Sequence, residues 1–477
     1  MTVNQSNSEP PRTLGVGSLK YTPRTLAVLF FWLLWGDFCY ILMETIVPQV
    51  LPLKFKALGA SDTMIALVVV TIPNLINIFV NPFASFRSDR HRSRLGRRIP
   101  FLLWTVPPLA IFLVLMGLSP DFGAMLHKAL GDGTGWSENT IVLVLLGTFM
   151  ILFSVFNSVV NAVYWYLFTD VVPEHLLARF MSLFRVVATG AGALFSYFLL
   201  AHSTTHTTAI FIGAAVLYTV GFGVMCLFVK EGKYPPPAPL HGNGKGLVCA
   251  VQTYFKECYS LSHYNYVFLI GIAFGATYGL MPYMNFYYQA TGLSLEQGEV
   301  GTIQAISLIT LLVCILFSGW LADRFHPIRV VLVGLIFQLV VALPAQMLWL
   351  IWTPDHATTY WVWMIIAVLA SGPAGAMIGM LDPPLFMRVF PHERYGQYCS
   401  ANALVRTAAI ALFGLVGGWF FDHLRIVGSE PASYQPYLWM PVFLWFPYLL
   451  MLVFAILLYR SWKRRGGDAG YQPPVIS

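Results

Sequence analysis

Two carboxylic acids, Asp37 and Glu44, lie in a long apolar segment of the chain. An ionisable group in the hydrocarbon of a bilayer costs about 2.5 to 3.5 kcal/mol on insertion scales, so each acid is a functional candidate by default. On a helix of 3.6 residues per turn they share one face, about 10 Å apart along the axis. A carboxyl group in such surroundings can gain or lose a proton as a cavity opens and closes. The pair predicts proton coupling, with Asp37 also a candidate ligand for a solute.

Two arginines, Arg185 and Arg406, also fall inside apolar segments, and each needs a partner of opposite charge. The acids available are Asp37, Glu44, Asp170 and Asp382. A permanent ion pair that holds helices together is therefore the alternative to a coupling role for these acids. Arg185 lies near one predicted membrane surface and is interpreted as structural, whereas Arg406, with Asn402 one turn away, is the better ligand candidate. Asp382 precedes two prolines, so a helix break there could hinge a gate.

Amide and aromatic side chains recur along several apolar segments. Sugars present hydroxyl groups and apolar C–H faces, so their binding sites combine amides and carboxylates with aromatic rings. The predicted solute-binding residues are Asp37, Asn74, Asn77, Asn157, Asn161, Trp165, Tyr278, Asn285, Asn402 and Arg406. A single asparagine is equally well explained by a hydrogen bond between helices, of about 0.6 kcal/mol. Several such stripes at one depth favour a site for a polyhydroxylated solute.

The elements that must position these residues are membrane-spanning helices. The 477 residues are 57% hydrophobic and 10% charged, against about 25% charged in soluble domains, which excludes a water-soluble protein. Twelve stretches reach the roughly 20 apolar residues that a span requires. Their continuous apolar character excludes a β-barrel. The predicted spans are 26–52, 62–86, 99–119, 140–169, 178–201, 207–229, 264–289, 298–321, 328–352, 360–387, 396–421 and 437–460.

The longest internal connection is rich in proline and glycine and divides the spans six plus six. This division predicts an all-α membrane protein of twelve transmembrane helices in two six-helix bundles, the major facilitator arrangement. The predicted units are a tail over 1–25, bundles over 26–229 and 264–460, a linker over 230–263 and a tail over 461–477. Within the linker, residues 247–261 could form an amphipathic helix on the membrane surface.

Basic residues are concentrated in the connections on one side of the predicted membrane. By the positive-inside rule, this asymmetry places both termini in the cytoplasm of a cell-membrane protein and accounts for the net charge of +7 without nucleic acid. An Asp-Arg pair also recurs at the inner end of the second helix of each half. Charge-assisted bonds there could hold one state and break in another, although the arginines could instead only fix topology. The predicted gating residues are Asp89, Arg90, Arg94, Arg97, Arg98, Asp323, Arg324 and Asp382.

A run of about 80 residues resembles a known family. Its matching features are Glu44, Pro73, Pro82, and a turn that reads SDR at 88–90, RLGRR at 94–98 and PF at 100–101. These features are similar to the sucrose-transporter-like branch of the glycoside-pentoside-hexuronide cation symporters. The resemblance implies proton- or cation-coupled uptake of a sugar, such as a disaccharide or glucoside. Beyond this run, the resemblance is limited to the number and arrangement of the predicted spans.

The chain departs from the plant members of that family along the fourth span. An acid and an arginine of those members are missing at the matching spacing, which leaves the coupling ion and the sugar open. The residues found there are Ser154, Asn157, Ser158, Asn161 and Trp165. The short sequence Gly36-Asp37-Phe38 is also similar to the melibiose-carrier branch, which implies a sugar ligand at Asp37.

No motif for nucleotide binding is found, and no long loop carries a catalytic cluster, so the chain is predicted to be a secondary transporter and not an enzyme. The favoured function is symport of a sugar with a proton by alternating access. The alternatives are transport of another amphiphilic solute, such as a lysolipid or a cell-wall glycopeptide, and sugar uniport. The expected partners are the sugar, a proton and membrane lipid. We expect a monomer with no cofactor, metal or nucleic acid.

Overall fold

The computed structural model describes residues 15–16, 18–130, 135–234, 256–279, 281–391, 394–427 and 435–474. Helices dominate, and eleven helices among these residues are long and apolar enough to cross a membrane. The predicted all-α fold is confirmed. Most of the predicted linker, including the larger part of the predicted surface helix at 247–261, lies outside the described residues.

The membrane helices are numbered in chain order. Those of the N-terminal half are α1 (Pro23–Ala57), α2 (Asp62–Arg90), α3 (Ile99–Gly117), α4 (Glu138–Val171), α5 (Arg179–His202) and α6 (Thr207–Phe228). In the C-terminal half, α7 consists of two pieces, Ser262–Tyr278 and Met281–Tyr287. It is followed by α8 (Gln297–Phe325), α9 (Pro327–Leu350), α10 (His356–Val389), α11 (Tyr395–Arg425) and α12 (Pro436–Arg464). A two-stranded antiparallel ribbon, β1 (Gly15–Val16) and β2 (Leu19–Lys20), precedes α1.

Local sequence sets the ends of α1. Thr22 and Thr25 cap its start reciprocally: each hydroxyl accepts the other residue's N–H, at 3.3 Å and 2.8 Å, and Pro23 occupies the first helical position, where its missing N–H costs nothing. The helix is followed by Gly59, which has a φ of 85°. Glycine adopts this left-handed conformation without steric cost, so the chain can turn there into α2.

The same helix pairs pack in both halves. In the N-terminal half α1 contacts α5 and α6, α4 contacts α2 and α3, and α3 contacts α6. Adding six to each number gives pairs that are also in contact in the C-terminal half. Each half is therefore built to one plan, as expected for a transporter formed from structural repeats.

The halves meet mainly along two helix pairs, α2 with α11 and α5 with α8, and α1 also contacts the second piece of α7. We call the end of the molecule where α2 begins the Asp62 end and the opposite end the Arg97 end. The Thr71 hydroxyl donates to the Ala411 carbonyl oxygen at 2.8 Å, and Gly301 of α8 packs against the Ser196 carbonyl of α5. Nine hydrogen bonds join described residues of one half to described residues of the other. All of them lie in the part of the molecule that extends from the Asp62 end to the level of Thr71. The halves are thus joined at the Asp62 end.

Candidate functional site

Glu44 lies at the centre of an amide cluster between α1 and α4. Its Oε1 accepts hydrogen bonds from the Nδ2 atoms of Asn157, at 2.5 Å, and Asn161, at 3.2 Å. The Tyr40 hydroxyl, one turn earlier on α1, donates to Asn157 Oδ1 at 3.4 Å. This bond turns the amide nitrogen of Asn157 toward the carboxylate. The two asparagines, four residues apart on α4, therefore hold a half-buried acid that no arginine neutralises among the described residues.

The Glu44 cluster opens into a cleft between α1, α2 and α4 with about 740 Å³ of empty space. The predicted residues Asn74 and Asn77 line it from α2. Asn74 Nδ2 donates to the Val70 carbonyl oxygen at 2.8 Å, whereas Asn77 Oδ1 is buried without a hydrogen-bond partner among the described residues. Four of the predicted asparagines and one predicted acid thus meet in one cleft. The remaining lining residues are Val47, Pro48, Val69, Pro73, Met150, Phe153, Ser154 and Ser158.

Asp37 does not line this cleft, so the two acids of α1 do not form one site in this conformation. Its side chain is completely buried, and neither oxygen has a hydrogen-bond partner among the described residues. The reason is the packing of α1 against α6: a Cβ atom on Gly36 would lie 2.7 Å from Met225 Cγ. Tyr164 of α4 covers the preceding turn of α1, where its hydroxyl donates to the Leu33 carbonyl oxygen at 3.1 Å. An ionised carboxylate without a partner is costly here, so the site suits the neutral acid.

Two predicted ligands lie away from the Glu44 cleft. Trp165 is half-exposed and packs against Phe184 of α5, with ring centroids 5.1 Å apart. Asn285 is half-buried and lies in the second described piece of α7. Two residues later the Tyr287 hydroxyl donates to the Pro52 carbonyl oxygen at 3.2 Å, which places Asn285 toward the Asp62 end.

Arg406 is paired with Asp382 and not with an acid of α1. Its Nη1 lies 2.9 Å from each oxygen of the Asp382 carboxylate. Its guanidinium carbon lies 4.4 Å from the centre of the Phe274 ring and 5.5 Å from that of Tyr278. Cation–π contact and the ion pair together orient the arginine. The predicted ligands Arg406 and Tyr278 are therefore neighbours. Asp382, which was predicted to act in gating, forms an ion pair with Arg406.

The break predicted at Asp382 is present in α10. The helix narrows to a 3₁₀ turn over Gly379–Leu381, and a new helix begins at Pro383. Asp382 has a ψ of −143°, far from the helical value, because the residue before a proline is driven out of the α conformation. The side chain can therefore leave the helix axis and reach α11. The position of the Asp382–Arg406 pair thus follows from the two prolines.

Asn402 lies one turn before Arg406 on α11 and lines the same small pocket. It is almost completely buried, and its Oδ1 has no hydrogen-bond partner among the described residues. The side chain packs directly on Gly271 of α7, where a Cβ atom would overlap Oδ1. Gly271 is part of the repeat Gly271, Gly275, Gly279, which brings α7 against α11.

Three predicted gating residues of the N-terminal half, Asp89, Arg97 and Arg98, form one network with Asp170 at the Arg97 end. Arg97 donates from Nε and Nη2 to Asp170, at 2.8 Å and 2.5 Å, and Arg98 Nε donates to the same carboxylate at 3.2 Å. Arg98 also binds Asp89 and donates from Nη1 to Ser88 Oγ at 2.5 Å. The hydrogen bonds to Asp170 raise the pKa of Arg97 further above its usual value. Both arginines are therefore held between the ends of α2 and α4.

Glu231, just after α6, completes this network and was not singled out from the sequence. Its carboxylate accepts the backbone N–H groups of residues 97–99, at 2.9, 2.8 and 2.7 Å, which caps the start of α3. The Tyr234 hydroxyl donates to it at 3.1 Å, and the Tyr234 ring lies under the Arg97 guanidinium, 4.2 Å from its carbon. Burial, followed by the charge of Glu231, raises the pKa of Tyr234. Nothing in the sequence distinguishes Glu231 from the other acids between the helices, so its role as a cap of α3 could not be predicted.

In the C-terminal half, the predicted gating residues Asp323 and Arg324 form no ion pair with other described residues. Asp323 and Arg324 are exposed, and Arg324 lies over the rings of Trp320 and Phe325. Arg94 is exposed as well, while Arg90 is half-buried over Phe86. Within the described part of the chain, no group of three or more His, Cys, Asp or Glu residues could hold a metal ion.

Comparison with known proteins identifies the family. The family model of the Major Facilitator Superfamily matches residues 33–414 and 266–474. Solved structures with a similar fold include the POT family transporter PepTSo, with 12% identity, 93% of this chain and 99% of that chain covered, and a TM-score of 0.65. A bacterial homologue of the human lysosomal transporter Spinster, inward-facing and occupied, has 15% identity, coverages of 95% and 100%, and a TM-score of 0.64.

A bacterial homologue of the iron transporter ferroportin, in an outward-facing state, has 16% identity, coverages of 91% and 99%, and a TM-score of 0.60. No curated protein matches the chain. At these identities the structures establish the fold alone. The family model points to a multi-pass membrane transporter and not an enzyme, and the fold agrees with it. The chain belongs to the Major Facilitator Superfamily.

Proposed function

We propose that this transporter carries a sugar, such as a disaccharide or glucoside, together with a proton, as the resemblance to the sucrose-transporter-like branch implies. The observation that carries the proposal is the Glu44 cleft, where a carboxylate and four asparagines from three helices surround open space. Amides both donate and accept hydrogen bonds, and a carboxylate accepts them, so this lining complements a solute with many hydroxyl groups.

Glu44 is the proposed coupling acid because its charge has no cationic partner in the described cleft. Arg406, the arginine predicted as a ligand, forms an ion pair with Asp382 in the other half. Protonation would convert the Glu44 carboxyl group from an acceptor of hydrogen bonds into a donor. A solute hydroxyl would then meet a different hydrogen-bonding partner in each protonation state. The buried Asp37 is a second coupling candidate, reached only if α1 moves relative to α6.

The direction of opening follows from charge. The basic turns around Arg97 would face the cytoplasm by the positive-inside rule, so a molecule joined at the Asp62 end is inward-facing. In that state the network of Arg97, Arg98, Asp89 and Asp170 lies within one half. We propose that these residues act in gating when the Arg97 end closes. We also propose that the protein is a monomer in the cell membrane and that both of its termini lie in the cytoplasm.

The test is uptake of labelled glucosides and disaccharides into proteoliposomes, with lysolipids and a cell-wall glycopeptide as competing solutes. The matched variants are Asn77→Ala, which removes an unpartnered cleft amide, and Asn81→Ala, which changes an asparagine of the same helix outside the cleft lining. We expect only Asn77→Ala to raise the KM for the sugar. Transport of a lipid with no saccharide transported would replace the sugar proposal with the amphiphile alternative.

A further inference from the structure

The Asp62 end carries an ion-pair network shared by the two halves and separate from the cleft. Asp62, at the start of α2, is completely buried. Its carboxylate accepts hydrogen bonds from Lys56 Nζ at 2.6 Å, from Arg425 Nη2 at 3.0 Å and from the Tyr437 hydroxyl at 2.9 Å. Lys56 belongs to α1, Arg425 to α11 and Tyr437 to α12. The first bond is internal to the N-terminal half, and the other two cross between the halves.

A second carboxylate crosses in the opposite direction. Asp422 of α11 accepts the backbone N–H groups of Asp62 and Thr63, each at 2.8 Å, and the Thr63 hydroxyl at 2.6 Å. These N–H groups belong to the first turn of α2, where no carbonyl of the same helix can accept from them and a negative charge is favoured. Asp422 therefore caps a helix of the other half. Behind it, α2 and α11 remain in contact through Gly418 and Gly414.

We propose that Lys56, Asp62, Thr63, Asp422, Arg425 and Tyr437 form a gate that closes the Asp62 end and breaks when that end opens. We call this set the Asp62 gate. It depends on alternating access but not on which solute or ion is carried.

The distribution of charge suits a gate that must open repeatedly. Lys56 and Asp62 belong to one half, whereas Asp422 and Arg425 belong to the other. When the halves separate, each half keeps one positive and one negative group. Opening therefore leaves no buried charge without a counter-charge in the same half. Water can replace the hydrogen bonds that break. The neighbouring contact between α5 and α8 has no ion pair among the described residues and uses the close approach of Gly301 to Ser196.

The test measures distances across both ends of the purified full-length protein in detergent by electron paramagnetic resonance. One pair of spin labels at exposed positions, Lys128→Cys with Ala357→Cys, reports the Asp62 end. A second pair, Arg179→Cys with Met387→Cys, reports the Arg97 end. The native cysteines are replaced in both. The measurement needs no solute, so its failure is distinguishable from failure of the proposed sugar transport.

The decisive variant is Asp422→Ala, with Thr63→Val as a milder change that leaves all charges in place. The matched control is Asp355→Ala. Asp355 also caps a helix through a threonine, binding Thr358 N at 3.2 Å and Thr358 Oγ1 at 2.5 Å, but entirely within the C-terminal half.

We expect Asp422→Ala to raise the ratio of open to closed molecules at the Asp62 end about tenfold or more, because three hydrogen bonds are lost. The distance at the Arg97 end should shorten in the same molecules, and Thr63→Val should shift both distances in the same directions by less. Asp355→Ala should leave both distances unchanged. Unchanged distances in Asp422→Ala, or a longer distance at the Asp62 end without shortening at the Arg97 end, would overturn the gate.

Discussion

Replacing Asp170 by asparagine should destabilise the N-terminal half through the two arginines that the acid holds. Asp170 receives three hydrogen bonds from Arg97 and Arg98. The Arg98 and Asp170 side chains are 4% and 8% exposed, whereas Arg97 is 22% exposed. Removing one partner of a fully buried ion pair costs about 3 to 5 kcal/mol. Because Arg97 reaches solvent and Arg98 keeps Asp89, we expect about 2 to 3 kcal/mol for Asp170→Asn.

The assay is thermal unfolding of the detergent-purified protein. At about 2 to 4 °C per kcal/mol for a unit of 150 to 250 residues, the apparent Tm should fall by about 4 to 12 °C. The control is Asp323→Asn, an exposed acid near the end of α8 that corresponds to Asp89 of the N-terminal half, and for it a change within about 0.5 kcal/mol is expected. Equal Tm values for the two variants would show that the network around Asp170 contributes no stability and would refute this reasoning.

Three further changes have defined outcomes. Gly271→Ala should lower the unfolding free energy by about 1 to 3 kcal/mol, because the new methyl group overlaps the Asn402 side chain; Gly213→Ala, which meets open space, should not, and equal losses would contradict the packing argument. Arg406→Lys should slow uptake several-fold, since the ammonium group of a lysine cannot reproduce the contact that the guanidinium makes with the Phe274 ring; wild-type rates would show that this contact is dispensable. Burial, followed by the charge of Arg388, lowers the pKa of His326 from 6.5 to about 4. The unfolded chain therefore takes up a proton first, and the stability contributed by the neutral ring is complete above pH 6.5 and lost as the pH falls toward 4. Thermal unfolding at pH 7.5 and 4.5 should show a smaller fall for His326→Asn than for the wild type; an equal fall would exclude this histidine as the cause.

The sequence allowed the helices and the break in α10 to be predicted, because both depend on local properties. Continuous apolar runs are long enough to span a bilayer, and the prolines after Asp382 interrupt any helix.

Partners across the fold could not be predicted from one chain. Asp170 was considered as a partner for Arg185 or Arg406, yet it binds Arg97 and Arg98. Glu44 and four asparagines were each predicted as site residues, but their meeting in one cleft depends on how α1, α2 and α4 pack. Helical spacing placed Asp37 on the face of Glu44, and packing against α6 nevertheless separates it from the cleft. Spacing along one helix does not specify which neighbour covers each turn.

Proton-coupled sugar transport is tested most directly by the accumulation ratio of a labelled glucoside in proteoliposomes under a pH gradient of about one unit. For one proton per solute, that gradient supplies about 1.4 kcal/mol, so the wild type should accumulate the solute up to about tenfold. Glu44→Gln cannot take up the proton and should reach only equal concentrations inside and outside, while still exchanging solute. Accumulation by Glu44→Gln equal to that of the wild type, or a wild-type ratio of one for every solute that it moves, would contradict the account.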